Sequence, residues 1–217
     1  MRYQAALRPD TPIITDNEAE TRSSPCKSYN SFTVGEERQY ALVAYIGGPV
    51  GEFVESLRAE LHPAHAHLPA HITVLPPRRL VGSEADAIAM LEKACESVQP
   101  FEVTLGDVEN FMPITPTVFI RVAFAAYKLR ELHDQFNKEG LVCNEQWPYM
   151  PHLTIVKVDT MDAAHDALRI ARQRWALFNK PRKAIITELT FVRQGENNYT
   201  WFDISSIPLG KQAVPVR

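Results

Sequence analysis

The chain has 217 residues, with 23 Lys and Arg against 26 Asp and Glu and a formal net charge of -3. That length carries one sizeable domain or two small lobes around a real core, and 45% hydrophobic with 23% charged residues is ordinary for a soluble globular protein. The charge excludes a broad, sequence-blind duplex binder, which needs a basic face, and leaves room for a small nucleotide or a single RNA end.

Residues 1–39 are polar and interrupted by Pro9, Pro12 and Pro25, the pattern of a flexible extension rather than of core. They hold no apolar run of signal-peptide length, and nothing in the chain approaches a membrane span, so a cytoplasmic location with no membrane partner is the default. Cys26, Cys95 and Cys143 are odd in number and lack metal-knuckle spacing, which reads most simply as reduced thiols. Tyr40–Ile46 is a predicted strand, and Val50–Leu61 has helical spacing through Phe53, Leu57 and Leu61. A strand begins at His71, followed by a helix from about Glu84 to Val98 and a strand over Phe101–Val108. The pattern then restarts with the strand Thr117–Phe124, a helix from Tyr127 to about Lys138, a strand from His152 and a helix over Asp162–Phe178. Strands over Ala184–Val192 and Tyr199–Ser205 complete it, and residues 209–217 read as a tail.

The two runs are offset almost constantly: Tyr40 to Val118 is 78 residues, His71 to His152 is 81, and Phe101 to Ala184 is 83. This duplication predicts an α+β fold over residues 40–208, with two pseudo-symmetric β-α-β-α-β lobes whose mainly antiparallel sheets face a shared central cleft. Each lobe contributes one His-apolar-Thr-apolar tetrad, His71-Ile72-Thr73-Val74 and His152-Leu153-Thr154-Ile155. Strand side chains alternate between faces, so His71 and Thr73 share one face, as do His152 and Thr154. Two imidazoles with pKa near ~6.5 can act as base and acid. Two hydroxyls on the same faces can donate to phosphate oxygens as charge builds. A phosphodiester, above all a strained cyclic one, is the group that fits, and the scheme needs neither metal nor cofactor.

The tetrads, in the contexts HITVLPP and PYMPHLTIVK, resemble those of the 2H phosphoesterase superfamily, and most closely its bacterial 2′-5′ RNA ligase and 2′,3′-cyclic phosphodiesterase group. The resemblance covers roughly Tyr40 to Ile207. It implies that His71 and His152 are the acid–base pair, in an order the sequence leaves open, and that Thr73 and Thr154 hold phosphate. It also implies a basic residue near the phosphate at Lys157 and an aromatic platform at Tyr149. Pro76, Pro77, Arg78 and Arg79 depart from the family pattern after the first tetrad; Arg79 is a candidate phosphate contact, with Arg78 an equal alternative. The implied function is a metal-independent hydrolase opening a 2′,3′-cyclic phosphate on an RNA end or nucleotide, acting as a monomer. The alternatives are 2′-5′ RNA ligation, which is the reverse reaction, and a module that binds nucleotides or RNA ends without turnover.

Other residues admit blander readings. Phe111 can stack on a base or pack at a hairpin. His62, His65 and His67 suggest metal, but they span a Pro-rich turn without matching carboxylates and read better as loop histidines. Arg169, Arg172, Arg174, Lys180, Arg182 and Lys183 could guide RNA, although a solvated helix face is the simpler reading. His133 and His165 are expected at the surface, and Arg193 within possible reach of the cleft.

Overall fold

The computed structural model describes residues 38–196 and 200–210. The expectations for residues 1–37, for Cys26, for a strand start at Tyr199 and for residues 211–217 lie outside these. The elements follow the predicted order: β1 (Tyr40–Tyr45), α1 (Gly48–Leu61), β2 (His71–Arg78), α2 (Glu84–Cys95), β3 (Phe101–Asn110), β4 (Thr117–Phe124) and α3 (Ala126–Phe136). Then come β5 (His152–Lys157), α4 (Met161–Ala176), β6 (Lys183–Ile186), β7 (Glu188–Gln194) and β8 (Trp201–Pro208). Local chemistry sets several boundaries. Ser83 accepts from the Asp86 amide and Thr160 from the Ala163 amide, satisfying amides that the first turns of α2 and α4 leave open. Gly51 lets α1 settle on the end of β1: a Cβ there would stand 2.0 Å from the Ile46 carbonyl oxygen.

The fold is α+β, and every strand pair is antiparallel. The strands form one curled sheet in the order β6-β3-β4-β5-β2-β1-β7-β8, with the two motif strands adjacent at its centre. The two halves are pseudo-symmetric but exchange parts. β3 follows the first tetrad in sequence yet pairs with β4, while β7 follows the second and pairs with β1. Helices cross over likewise, α1 packing against β5 and α3 against β2. The predicted strand Ala184–Val192 therefore breaks at Thr187. Its first part, β6, pairs with β3 at one end of the sheet, and its second part, β7, crosses to β1. The counterpart of Phe101 thus lies in β7, not at Ala184.

One face of the sheet is buried under the four helices. Ile72 and Leu153, the apolar members of the tetrads, are completely buried there and directly opposite each other; removing either side chain from water contributes about 1.5–3 kcal/mol. Val54 and Leu57 of α1, Leu129 and Phe136 of α3, and Leu168 and Trp175 of α4 close over them in one contiguous core. The sheet's other face is open and carries a small apolar cluster, Ala41, Val43 and Val192 with Trp201 beside it, and separately the tilted ring pair of Phe111 and Phe119. Packing continues past the predicted domain end: Leu209 is buried and its amide bonds to Thr187, and the Gly210 amide bonds to the Cys95 carbonyl. Cys95 is a buried free thiol, which burial pushes up to about 12. Among the described residues no helix is long and apolar enough to cross a membrane.

Candidate active site

β2 and β5 meet at a single register pair, Ile72 opposite Leu153. Opposite residues of an antiparallel pair share a face, so the neighbouring positions set His71 across from Thr154 and Thr73 across from His152 on the open face. The four polar members of the tetrads thus form a two-by-two array in which each histidine looks across at the other motif's threonine. All four are half-buried.

Each imidazole is held in the same way. Nδ1 of His71 lies 2.8 Å from the Pro69 carbonyl oxygen, and Nδ1 of His152 lies 2.6 Å from that of Met150. A carbonyl only accepts, so both Nδ1 atoms carry the proton and both Nε2 atoms remain available to the cleft. Burial holds both pKa values below the usual imidazole range, partly offset by these backbone bonds, and for His71 the charges of Arg58 and His152 lower it further. A T-shaped ring flanks each histidine: Tyr45 beside His71 at 6.4 Å and Phe111 beside His152 at 5.0 Å.

Because the two strands pair only once, the carbonyls beyond that pair need other donors. Tyr149 Oη donates to the Thr73 carbonyl at 2.8 Å, and an Arg58 terminal nitrogen donates to the Thr154 carbonyl at 2.7 Å. Arg58 is 4% exposed, and it also donates to the Ile155 and Leu68 carbonyls, binding α1 to both motif segments. A bulge follows each threonine: the register passes from Thr73 to Leu75 against adjacent β1 residues, and from Thr154 to Val156 against adjacent β4 residues. Ile155 and Val156 are consequently both buried, and Lys157 returns to the side of His152. Burial lowers the Lys157 pKa.

The structure brings His71, Thr73, His152, Thr154, Phe111 and Lys157 to one face. Tyr149 and Arg78 are engaged elsewhere. Tyr149 is not a free platform: its ring stacks on His133 at 4.2 Å and 5°, on the helical side of the sheet. Arg79 is exposed just past the end of β2. Arg78, 2% exposed, is spent on the Pro76 and Leu141 carbonyls, Asn137 and Glu145. His133, expected at the surface, is buried between Glu145 and Asp134. Burial opposes its protonation, but those carboxylate bonds prevail and its pKa is raised. Arg193 turns to Glu84 at 2.8 Å, away from the cleft. His165 is exposed as expected. His62 and His65 stack at 4.0 Å, and among the described residues no three His, Cys, Asp or Glu side chains converge as a metal would require.

The sequence reading missed the cleft's walls. Beside His71 lies a pocket of about 350 Å³, lined by Val43, Tyr45, Leu68, Val192, Trp201 and Phe202 among others. Arg121 stands directly opposite His152 on β4. Alternation along β1 and β4 places these residues on a face, but only the register shows that it is the histidines' face.

A family model described as the 2′-5′ RNA ligase superfamily matches residues 48–198, which span both tetrads. The chain belongs to that superfamily. This agrees with the 2H resemblance of its motifs. A member provisionally named a phosphoesterase, from Halalkalibacterium halodurans, is 24% identical over 80% of this chain and 98% of its own length. One from Staphylococcus epidermidis is 26% identical over 72% and 90%. Among solved superfamily-like folds, E. coli LigT complexed with NADP+ aligns with a TM-score of 0.53 at 17% identity, covering 82% of this chain and 100% of its own. The Thermus thermophilus protein TT0787 gives 0.56 at 12%, covering 80% and 100%. At these identities the structural likeness establishes the shared fold.

Proposed function

We propose that the protein is a metal-independent phosphoesterase that hydrolyses 2′,3′-cyclic phosphates on RNA ends or nucleotides by two-histidine acid–base catalysis. The array of His71, Thr154, Thr73 and His152, with both Nδ1 protons committed to backbone carbonyls, carries this reading. Neutral Nε2 of one histidine takes a proton from water as the water oxygen bonds to phosphorus. The P–O3′ bond breaks in line, and the other histidine, protonated, gives its Nε2 proton to the departing oxygen, leaving a 2′-phosphate. The threonine hydroxyls donate to the non-bridging oxygens, where negative charge increases. His71 suits the base, since the Arg58 charge disfavours its protonated form and is not felt in the same way by His152.

Family membership and the phosphoesterase names of the relatives support the reaction class. LigT structures complexed with phosphate, ATP and 3′-AMP support a phosphate-centred cleft. Ligation of long RNA is less well served, because the basic stretch lies on the helical side and is engaged locally. Arg172 donates to the Val108 carbonyl, Arg174 pairs with Glu60, Arg182 lies over Trp175, and Lys183 pairs with Glu102.

The test is hydrolysis of nucleoside 2′,3′-cyclic monophosphates in EDTA, comparing wild type with His71→Ala and His152→Ala. Each variant should lose on the order of 10²–10⁴-fold in rate while wild type is insensitive to chelation. Near-full activity in either variant, or loss of wild-type activity in EDTA, would overturn the mechanism.

A further inference from the structure

The two histidines have different neighbours across their outer strand pairs. His71 faces Tyr45, whose hydroxyl donates to Asp203 at 2.6 Å, and beyond it lies the apolar floor of Val43, Val192 and Trp201. His152 faces Arg121. These are equivalent positions of the duplicated halves, so aromatic rings flank both histidines (Phe111 and Phe119 beside His152), but only the His152 side carries an arginine at this position. Adjacent strands lie about 4.8 Å apart, which puts Arg121 one strand outward from His152 and two from His71.

Arg121 is arranged as a donor fork. Its Nε is 3.0 Å from Glu109 Oε1 on β3, and about half of its side chain, 48%, remains exposed to solvent. The pairing with Glu109 restrains the planar guanidinium on the strand next to His152, and its exposed part keeps the donor fork with which arginine binds a phosphate through two parallel hydrogen bonds. Lys157 lies on the same half. The core of the reaction uses only the two tetrads, so Arg121 is left without a role in it.

We propose that Arg121 reads a second phosphate on the substrate, so that a nucleotide bearing a 5′-phosphate as well as the 2′,3′-cyclic phosphate is preferred over the bare nucleoside cyclic phosphate. This rests on the phosphoesterase reading above. The base then lies over Tyr45 and Trp201, the cyclic phosphate between the histidines, and the second phosphate over β4. Glu109 offsets part of the arginine charge, so the gain is moderate and is screened by salt.

The experiment compares adenosine 2′,3′-cyclic phosphate with its 5′-phosphorylated form. Wild type should favour the latter on the order of tenfold in kcat/KM, mainly through KM, with the preference shrinking as salt rises. R121Q should bring the ratio close to one, R121K should keep part of it, and R169Q, at an exposed arginine on α4, should keep all of it. Equal kcat/KM for the two substrates in wild type, or an unchanged ratio in R121Q, overturns the inference and leaves the phosphoesterase reading intact. If wild type hydrolyses neither, the phosphoesterase reading fails. Calorimetric binding of adenosine 3′,5′-bisphosphate against adenosine 3′-monophosphate then decides the role of Arg121. Tighter binding of the bisphosphate that R121Q abolishes supports the role, and equal binding overturns it.

Discussion

At His71 and His152 the same short device recurs: a loop carbonyl two residues back fixes the tautomer, and the strand face aims what remains at the cleft. Both imidazoles lie below their usual pKa because burial penalises the charged form. This sets the sign of the pH dependence. In the proposed mechanism the active free enzyme holds one proton on the pair, a form populated between two apparent pKa values that belong to the pair rather than to either residue. With both held below about 6.5, the bell in kcat/KM should peak on the acid side of that value. Above it the rate should fall as the acid loses its proton. A pH profile on the cyclic nucleotide checks this, and a plateau extending above pH 8 would contradict it.

Among the elements, the seam between β2 and β5 is held by side chains more than by its ladder. Arg58 from α1 and Tyr149 from the approach to β5 each donate to the carbonyl of the opposite motif's threonine. Tyr149→Phe should lower stability by about 1–3 kcal/mol, the cost of one buried carbonyl left without a donor. Arg58→Met strands three carbonyls and should cost more. Urea denaturation of both variants measures this, and a Tyr149→Phe midpoint equal to wild type would show that the Thr73 carbonyl finds another donor. The residues themselves were visible in the sequence; their use was not. Tyr149 stood at a position that suggested base stacking, and nothing local reveals that His133 occupies its ring face. Arg78 and Arg79 were equivalent in sequence, and burial against Glu145 and Leu141 separates them.

At the scale of the whole molecule, the exchange of β3, β7, α1 and α3 makes each half depend on the other. A fragment of residues 38–112 would hold β3 without its partners β4 and β6, and one of residues 113–210 would hold β7 without β1. Each lacks half of its core and exposes unpaired strand edges. Neither should show native circular dichroism alone, and an equimolar mixture should regain it. A separately folded fragment would mean that the halves are independent lobes after all. The exchange also explains why His71 and His152 are so close in space despite 81 residues of separation: the motif strands are neighbours because the halves are interlocked at the centre of one sheet.

The sequence by itself determined the element order as far as α4, the duplication around the two motifs and the two His-x-Thr faces, because strand and helix periodicities are local and a repeat shows itself by constant spacing. It also determined the family, through motifs whose spacing survives at low identity. Only the tertiary structure decided which strands pair, where the bulges return Lys157 to the histidines' side, and that Tyr45 and Arg121 flank the two histidines unequally. These are questions of register between segments far apart in the chain. A one-residue slip reverses every side chain's face, and no local pattern encodes the slip.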